Sequence, residues 1–394
     1  MVIINRNNIA FLFEIIPKFH YREFIMKPKK ISAVQLIYVI VGFQIGNTLV
    51  YGLGGGAKQD AWLVIILAML GGFILMFVYT KLSSFYPEDT LLQMIPKIIG
   101  KFLAYPIILI YICYFTYLAA KACRDFAEII AATLLDDTPL VVVIGSFVML
   151  MIYCFRGGIE TFGRMGEAVF PVYIMAMIVI WILLLTVKDF NVTKIMPILG
   201  NGLQPVLKEV FPTVLTFPFG ESIIITMFLP FLNNKENVKK VGMIVILITG
   251  SLITLNLILI LSVLGPEIYN KEFFPLLSAT RLVTIANFLE RFDALIILMM
   301  VAGVFFKIGG WLFGATVGIA HLFKLRQTAS VFLGLGTIIT PLSLLAASNQ
   351  IKYNEIGLEI VTKYIHIPLQ IAFPILLLCI AFIRKKLKLE NSSI

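Results

Sequence analysis

Apolar residues run along this chain in stretches of about 17 to 25 positions, separated by short segments rich in charge, glycine or proline, and that spacing predicts membrane-spanning helices. The expected spans are 32–55, 60–82, 102–133, 139–155, 163–187, 205–232, 239–264, 289–322, 328–347 and 355–384. Two of them are interrupted. In 214–228, VLTFPFGESIIITMF, the residues Phe217, Pro218, Phe219, Gly220 and Glu221 place a helix breaker and a carboxylate in the middle of apolar sequence. In the first span, Gln44, Gly46, Asn47 and Thr48 break the pattern just before the glycine cluster Gly52, Gly54, Gly55 and Gly56.

An ionisable group at bilayer depth costs roughly 2.5–3.5 kcal/mol on insertion scales, and a proline frees backbone groups that lipid cannot satisfy. Glu221 is therefore expected to face a cavity. Interrupted spans opening two five-span halves, about 30–190 and 205–385, mark an inverted-repeat carrier whose ligand sits between broken helices. The two halves align poorly in sequence, so this expectation rests on the five-plus-five count and on where the interruptions fall.

Composition agrees with a polytopic membrane protein. Hydrophobic residues make up 60% of the 394, charged residues 14%, and the mean hydropathy is +0.97, which excludes an ordinary soluble globule. The net charge of +10 comes from basic residues grouped at the ends of apolar stretches, which speaks for topology and against nucleic acid. Ten spans put both termini on one side. With the N-terminus inside, seventeen Lys and Arg fall on inner segments against nine on outer ones, so cytoplasmic termini are expected.

Residues 1–26 read as an N-terminal extension, either flexible or the product of a start placed too early; 27–388 form the transmembrane domain and 389–394 a cytoplasmic tail. Two connections, 87–101 and 275–287, alternate apolar and polar residues at helical spacing. Short interfacial helices account for both, the second placed to cap an outer entrance; helices merely resting on headgroups account for them equally well. Cys113, Cys123, Cys154 and Cys379 are scattered and form no CxxC pair, and His20, His321 and His366 are isolated, each read as an interfacial or packed side chain. Neither metal nor cofactor is expected.

Several residues carry candidate chemistry. Lys307, midway along the eighth span, must lose its proton or find a partner at that depth, and Glu221 is the obvious one. Gly46, Asn47 and Thr48 are the expected unwound point of the first span, with close helix packing of small residues as the alternative. Tyr114 and Tyr117 are placed to wall the same cavity. Lys121, Arg124, Asp125 and Glu128 form two i, i+4 pairs; because the nineteen-residue stretch 102–120 precedes them, a solvated outer helix end is preferred to a gate. Glu160, Arg164 and Glu167 form a similar inner cluster, a latch or a structural ion pair.

The motifs KISAVQL at 30–36, QDAW at 59–62, YPEDTLLQMIPKIIGK at 86–101, GGIETFGRMGE at 157–167, MPILGNG at 196–202 and ERFD at 290–293 resemble the B subunit of nutrient germinant receptors of endospore-forming bacteria. One departure is LLDDTP at 134–139, where a proline is expected in place of Asp136 or Asp137. The resemblance implies an all-α protein of the amino acid, polyamine and organocation transporter superfamily with the leucine-transporter fold. It also implies residence in the spore inner membrane beside A-type and C-type subunits, and sensing of a germinant such as an amino acid between broken helices 1 and 6. A proton-coupled amino-acid transporter is the alternative, and a sugar, nucleoside or inorganic ion stays open as ligand. HExxH, GxSxG and paired histidines are missing from the sequence, so an enzyme is not expected.

Overall fold

The computed structural model describes residues 30–133, 137–283, 293–325, 328–345 and 356–391. The expected extension 1–26, Asp136, residues 284–287 of the outer connection and residues 392–394 of the tail lie outside them. The labelled helices are α1 (Ala33–Ile45), α2 (Ala61–Phe85), α3 (Leu91–Ile99), α4 (Lys101–Thr133), α5 (Leu140–Phe155), α6 (Ile159–Leu185), α7 (Leu203–Glu209), α8 (Val238–Leu264), α9 (Pro275–Thr280), α10 (Asp293–Leu322), α11 (Ala329–Leu345) and α12 (Phe373–Asn391). Among the described residues, seven helical stretches are long and apolar enough to cross a membrane. Helices α1, α5 and α11 are apolar but shorter, and they occupy the other three positions at which spans are expected.

Local sequence sets the helix starts. Ser32 caps α1 by accepting from Gln35 N at 3.1 Å while Gln35 Oε1 accepts from Ser32 N at 2.9 Å, a reciprocal box in which the cap residue contributes about 1 kcal/mol. Thr90 and Gln93 repeat it at the start of α3. In the inner connection, α3 buries Leu91, Leu92, Met94, Ile95 and Ile98 on one face, against α4 and α12. Its apolar side is thus taken up by protein. In the outer connection, α9 likewise buries Pro275, Leu276, Leu277, Ala279 and Thr280.

Helix α1 stops at Ile45, where Gly46 leaves helical geometry at φ −19° and ψ −93°, and residues 46–50 run on as turns. A break inside apolar surroundings must find partners for its freed carbonyls. Neighbouring side chains supply them: Thr48 Oγ1 donates to Gln44 O at 2.6 Å, Asn256 Nδ2 to Leu49 O at 3.0 Å and Tyr269 OH to Leu53 O at 2.8 Å.

The sixth span is broken twice. After α7 the chain leaves helical geometry at Phe211 (φ −122°, ψ 130°) and again at Phe217 (φ −127°, ψ 108°). Each of these residues precedes a proline, whose ring disfavours the helical region for its predecessor. The chain then winds through a tight turn at Gly220–Ile224 and a short helix at Ile225–Phe228. The expected discontinuity is present, and Pro212 extends it toward the start of the span.

The broken sixth span and α10 lie at the centre of the bundle. Of their most apolar windows 83% is buried, against 28% for the last span. Helix α10 packs on α4, α1 and α6, and α8 on α2 and α1. The contact of α1 with α10 is close enough to exclude side chains, since a Cβ on Gly303 would stand 2.6 Å from Gly46 Cα. At their other ends the two broken spans are tied together: Ile31 N donates to Phe231 O at 2.8 Å and Asn233 N to Ile31 O at 3.0 Å.

Candidate functional site

Where the two breaks face each other, a cavity of about 220 Å³ opens. Its inner wall holds Glu221 and Phe217 from the sixth span, Lys307 from α10, Asn47 from the first break and His366 from the irregular helix Thr362–Ala372. Lys121 and Asp125 of α4 form one side. Tyr51 and Gly52, with Asn270, Glu272 and Phe273 just ahead of α9, form the mouth.

Two ion pairs organise it. Lys307 Nζ lies 2.7 Å from Glu221 Oε2, and each side chain is only 3% exposed. The ammonium also sits 4.3 Å from the centroid of the Phe217 ring, the residue that the break turns out of helical geometry. An aromatic face attracts a cation, so the break places a favourable contact against the Lys307 side chain. In the second pair Lys121 Nζ is 3.3 Å from Asp125 Oδ2. Asn47 Nδ2 donates to the same oxygen at 2.8 Å and Tyr51 OH to Oδ1 at 2.9 Å. Asp125 thereby fastens the first break and the turns that follow it to α4.

The structure separates the residues expected at the site. Asn47, Phe217, Glu221 and Lys307 line the cavity. Gly46 instead provides the close approach to Gly303, and Thr48 turns back to the Gln44 carbonyl. Pro218, Phe219 and Gly220 are buried behind the wall, Phe219 against Gly72 and Gly220 against Gln370. Tyr114 stands one layer out, its OH accepting from Gln370 Nε2 at 2.7 Å and its ring edge-on to His366 at 5.8 Å. Tyr117 is half-buried against the apolar core outside the cavity lining.

One expectation is corrected. The Lys121, Arg124, Asp125 and Glu128 group is not a solvated helix end: Asp125 is 2% and Arg124 8% exposed. The turns after the first break fold over α4 at this level, and Tyr51 and Asn47 cover the carboxylate. Arg124 is enclosed by Glu128, at 2.6 Å, and by the Leu344 carbonyl of α11, at 3.3 Å. The inner group is different, since Arg164 is largely exposed and pairs with Glu160 at 2.6 Å.

His366, read from sequence as an interfacial or packed side chain, is packed and lines the cavity. A sequence signal existed for it: Thr362, His366 and Gln370 recur every four positions through apolar sequence, and all three are buried.

A family model described as spore germination protein matches residues 30–351. The chain is 32% identical to spore germination protein KB of Bacillus subtilis (strain 168) over 361 residues, covering 92% of this chain and 97% of that one. To spore germination protein YndE of the same organism it is 28% identical over 365 residues, 91% and 98% of the two chains. Among solved structures it is similar to MhsT in complex with L-phenylalanine, with a TM-score of 0.64 over 87% of this chain and 88% of that one at 12% identity. That likeness is one of fold, and the fold is that of the leucine transporter.

Proposed function

The chain belongs to the spore germination protein family, and from that premise we propose that it is the nutrient-sensing subunit of a spore germinant receptor, binding one small nutrient, an amino acid, between broken helices 1 and 6. The observation that carries this reading is the buried Glu221–Lys307 pair at the sixth-span break, set in a cavity shared with the first break. Ion pairs removed from water cost more in desolvation than they return unless further polar contacts are made, so they mark function more often than stability. The cavity is smaller than the roughly 300–1,000 Å³ of pockets that take drug-sized molecules, which suits a ligand of amino-acid size.

Binding acts on the two breaks. A nutrient shifts the protein between conformations only in so far as it binds one of them more tightly. The movable parts are the post-break turns, fastened to α4 through Asp125, and the Phe217–Gly220 wall. Closure of either onto the ligand changes the outline of the bundle toward A-type and C-type partner subunits. In this reading the protein resides in the spore inner membrane with both termini cytoplasmic and the cavity mouth on the opposite side.

The likeness of fold to MhsT and the buried carboxylate favour a second reading, a proton-coupled amino-acid transporter in which Glu221 carries the proton. Reconstitution separates the two. Proteoliposomes holding the purified chain are given labelled L-amino acids under a pH gradient. Saturable binding without uptake supports the sensor, uptake driven by the gradient supports the transporter, and neither binding nor uptake of any amino acid removes both.

A further inference from the structure

The polar groups facing the cavity divide into those already matched within the protein and those that are not. Lys307 is paired with Glu221, and Asp125 is matched by Lys121, Asn47 Nδ2 and Tyr51. Two positive and two negative side chains therefore compensate each other around the inner cavity, while the further carboxylate of the lining, Glu272, stands exposed at the mouth and accepts from Ser278 Oγ. A ligand bearing net charge would leave one charge buried without a counterpart, which is the costly arrangement. A ligand of zero net charge would not.

Apart from Glu221 Oε2 and Lys307 Nζ, which meet each other as an ion pair without a further hydrogen bond, the unmatched groups that line the cavity are neutral. Among the described residues, neither ring nitrogen of His366 has a hydrogen-bond partner, although the residue is only 4% exposed, and Asn47 Oδ1 is likewise buried and without one. Both side chains line the cavity. Buried polar atoms in native proteins are nearly always hydrogen-bonded, so each such group calls for an explanation. A neutral imidazole presents one donor and one acceptor, and the Asn47 oxygen adds an acceptor. The imidazole is held by its surroundings, edge-on to the Tyr114 ring, on a helix whose wide-turn geometry over Thr362–Ala372 is of a kind frequent at functional sites.

We infer that His366 is a ligand-binding residue: with Asn47 across the first break, it hydrogen-bonds directly to a small ligand that has no net charge and offers both a donor and an acceptor. This rests on the nutrient-binding reading above and adds to it a contact from the last span, beyond the two broken helices. It also specifies the class of nutrient. Zwitterionic amino acids with uncharged side chains fit, whereas lysine, arginine, aspartate and glutamate do not.

The test uses the full chain in lipid nanodiscs and the twenty L-amino acids as probes. Thermal shift on the wild type first identifies which of them bind. The protein is then labelled with 15N-histidine, which reports three side chains, His20, His321 and His366, and the His20→Gln and His321→Gln variants assign the signals. The amino acid giving the largest thermal shift is expected to have an uncharged side chain and to move the His366 ring resonances saturably. His366→Leu is expected to weaken its binding about tenfold or more, and His366→Asn, which keeps a donor and an acceptor, to restore part of that. Unmoved His366 resonances at saturating ligand, or wild-type affinity in His366→Leu, overturn the inference while leaving the nutrient reading intact. Preferential binding of a charged amino acid overturns the ligand class. Absence of any thermal shift in the wild type overturns the amino-acid reading and this inference with it. Should His366→Leu fail to fold, the resonances of the labelled wild type decide alone.

Discussion

The amide of Asn47 donates to the carboxylate of Asp125 at 2.8 Å, joining the break in the first span to the middle of α4 across 78 positions of sequence. Tyr51 reaches the same carboxylate from the far side of the break at 2.9 Å. The post-break turns are thus held by one acidic side chain, itself paired with Lys121.

Asp125→Ala removes the acceptor for three donors at once. Breaking a buried pair costs on the order of 3 kcal/mol, and the partial exposure of Lys121 places this case toward the lower side of that range. The melting temperature in nanodiscs should fall and the nutrient response should be lost. Asp125→Asn keeps an acceptor and should fall less. Equal melting temperatures for all three proteins would show that the carboxylate does not hold the turns.

Glu221 and Lys307 should behave as a unit. Glu221→Gln or Lys307→Met alone leaves a charge buried without its partner, at roughly 3–5 kcal/mol, whereas the double variant removes both charges and should recover most of that loss. A double-mutant cycle on thermal stability measures the coupling. Additive effects would mean that the two groups do not interact.

Gly46 and Gly303 allow α1 and α10 to touch backbone to backbone. A Cβ on Gly46 would stand 2.8 Å from Gly303 O, so Gly46→Val must push the two apart. Overpacking of this kind costs about 1–3 kcal/mol. Because the break is displaced as well, germination of spores carrying Gly46→Val should be impaired more than that of spores carrying Thr48→Ser, which keeps the hydroxyl bonded to Gln44 O. Similar responses from the two would contradict this.

Pro218 disfavours helical geometry at Phe217. Pro218→Ala lifts that constraint and lets the sixth span wind more continuously. Stability should change by no more than about 1 kcal/mol in either direction, yet nutrient affinity should drop, because Phe217 leaves the Lys307 ammonium. Retained affinity would show that the kink at this proline is incidental to binding.

Much of the fold was legible because lipid imposes strict rules. Apolar stretches of spanning length, capping residues such as Ser32 with Gln35, and prolines after Phe211 and Phe217 each act locally, and the helices follow them. The meeting of Glu221 with Lys307 was also legible, since two opposite charges at depth have few alternatives to each other. Asp125 was misplaced for a tertiary reason: α4 runs to 33 residues, and counting apolar positions along it cannot reveal that turns from another span cover its charged end. Likewise the sequence did not distinguish which residue of Gly46, Asn47 and Thr48 faces the cavity. That depends on the direction in which the chain leaves α1, and this is fixed by partners as distant as Asn256 and Tyr269.

Equilibrium binding to purified protein decides whether a nutrient sits in the cavity between the two breaks. For an amino acid that the wild type binds, Asn47→Ala and Glu221→Gln should each weaken affinity by about tenfold or more. Arg164→Gln, which alters only the exposed inner ion pair, should leave affinity unchanged. Wild-type affinity in both cavity variants would contradict the account and place the binding site elsewhere.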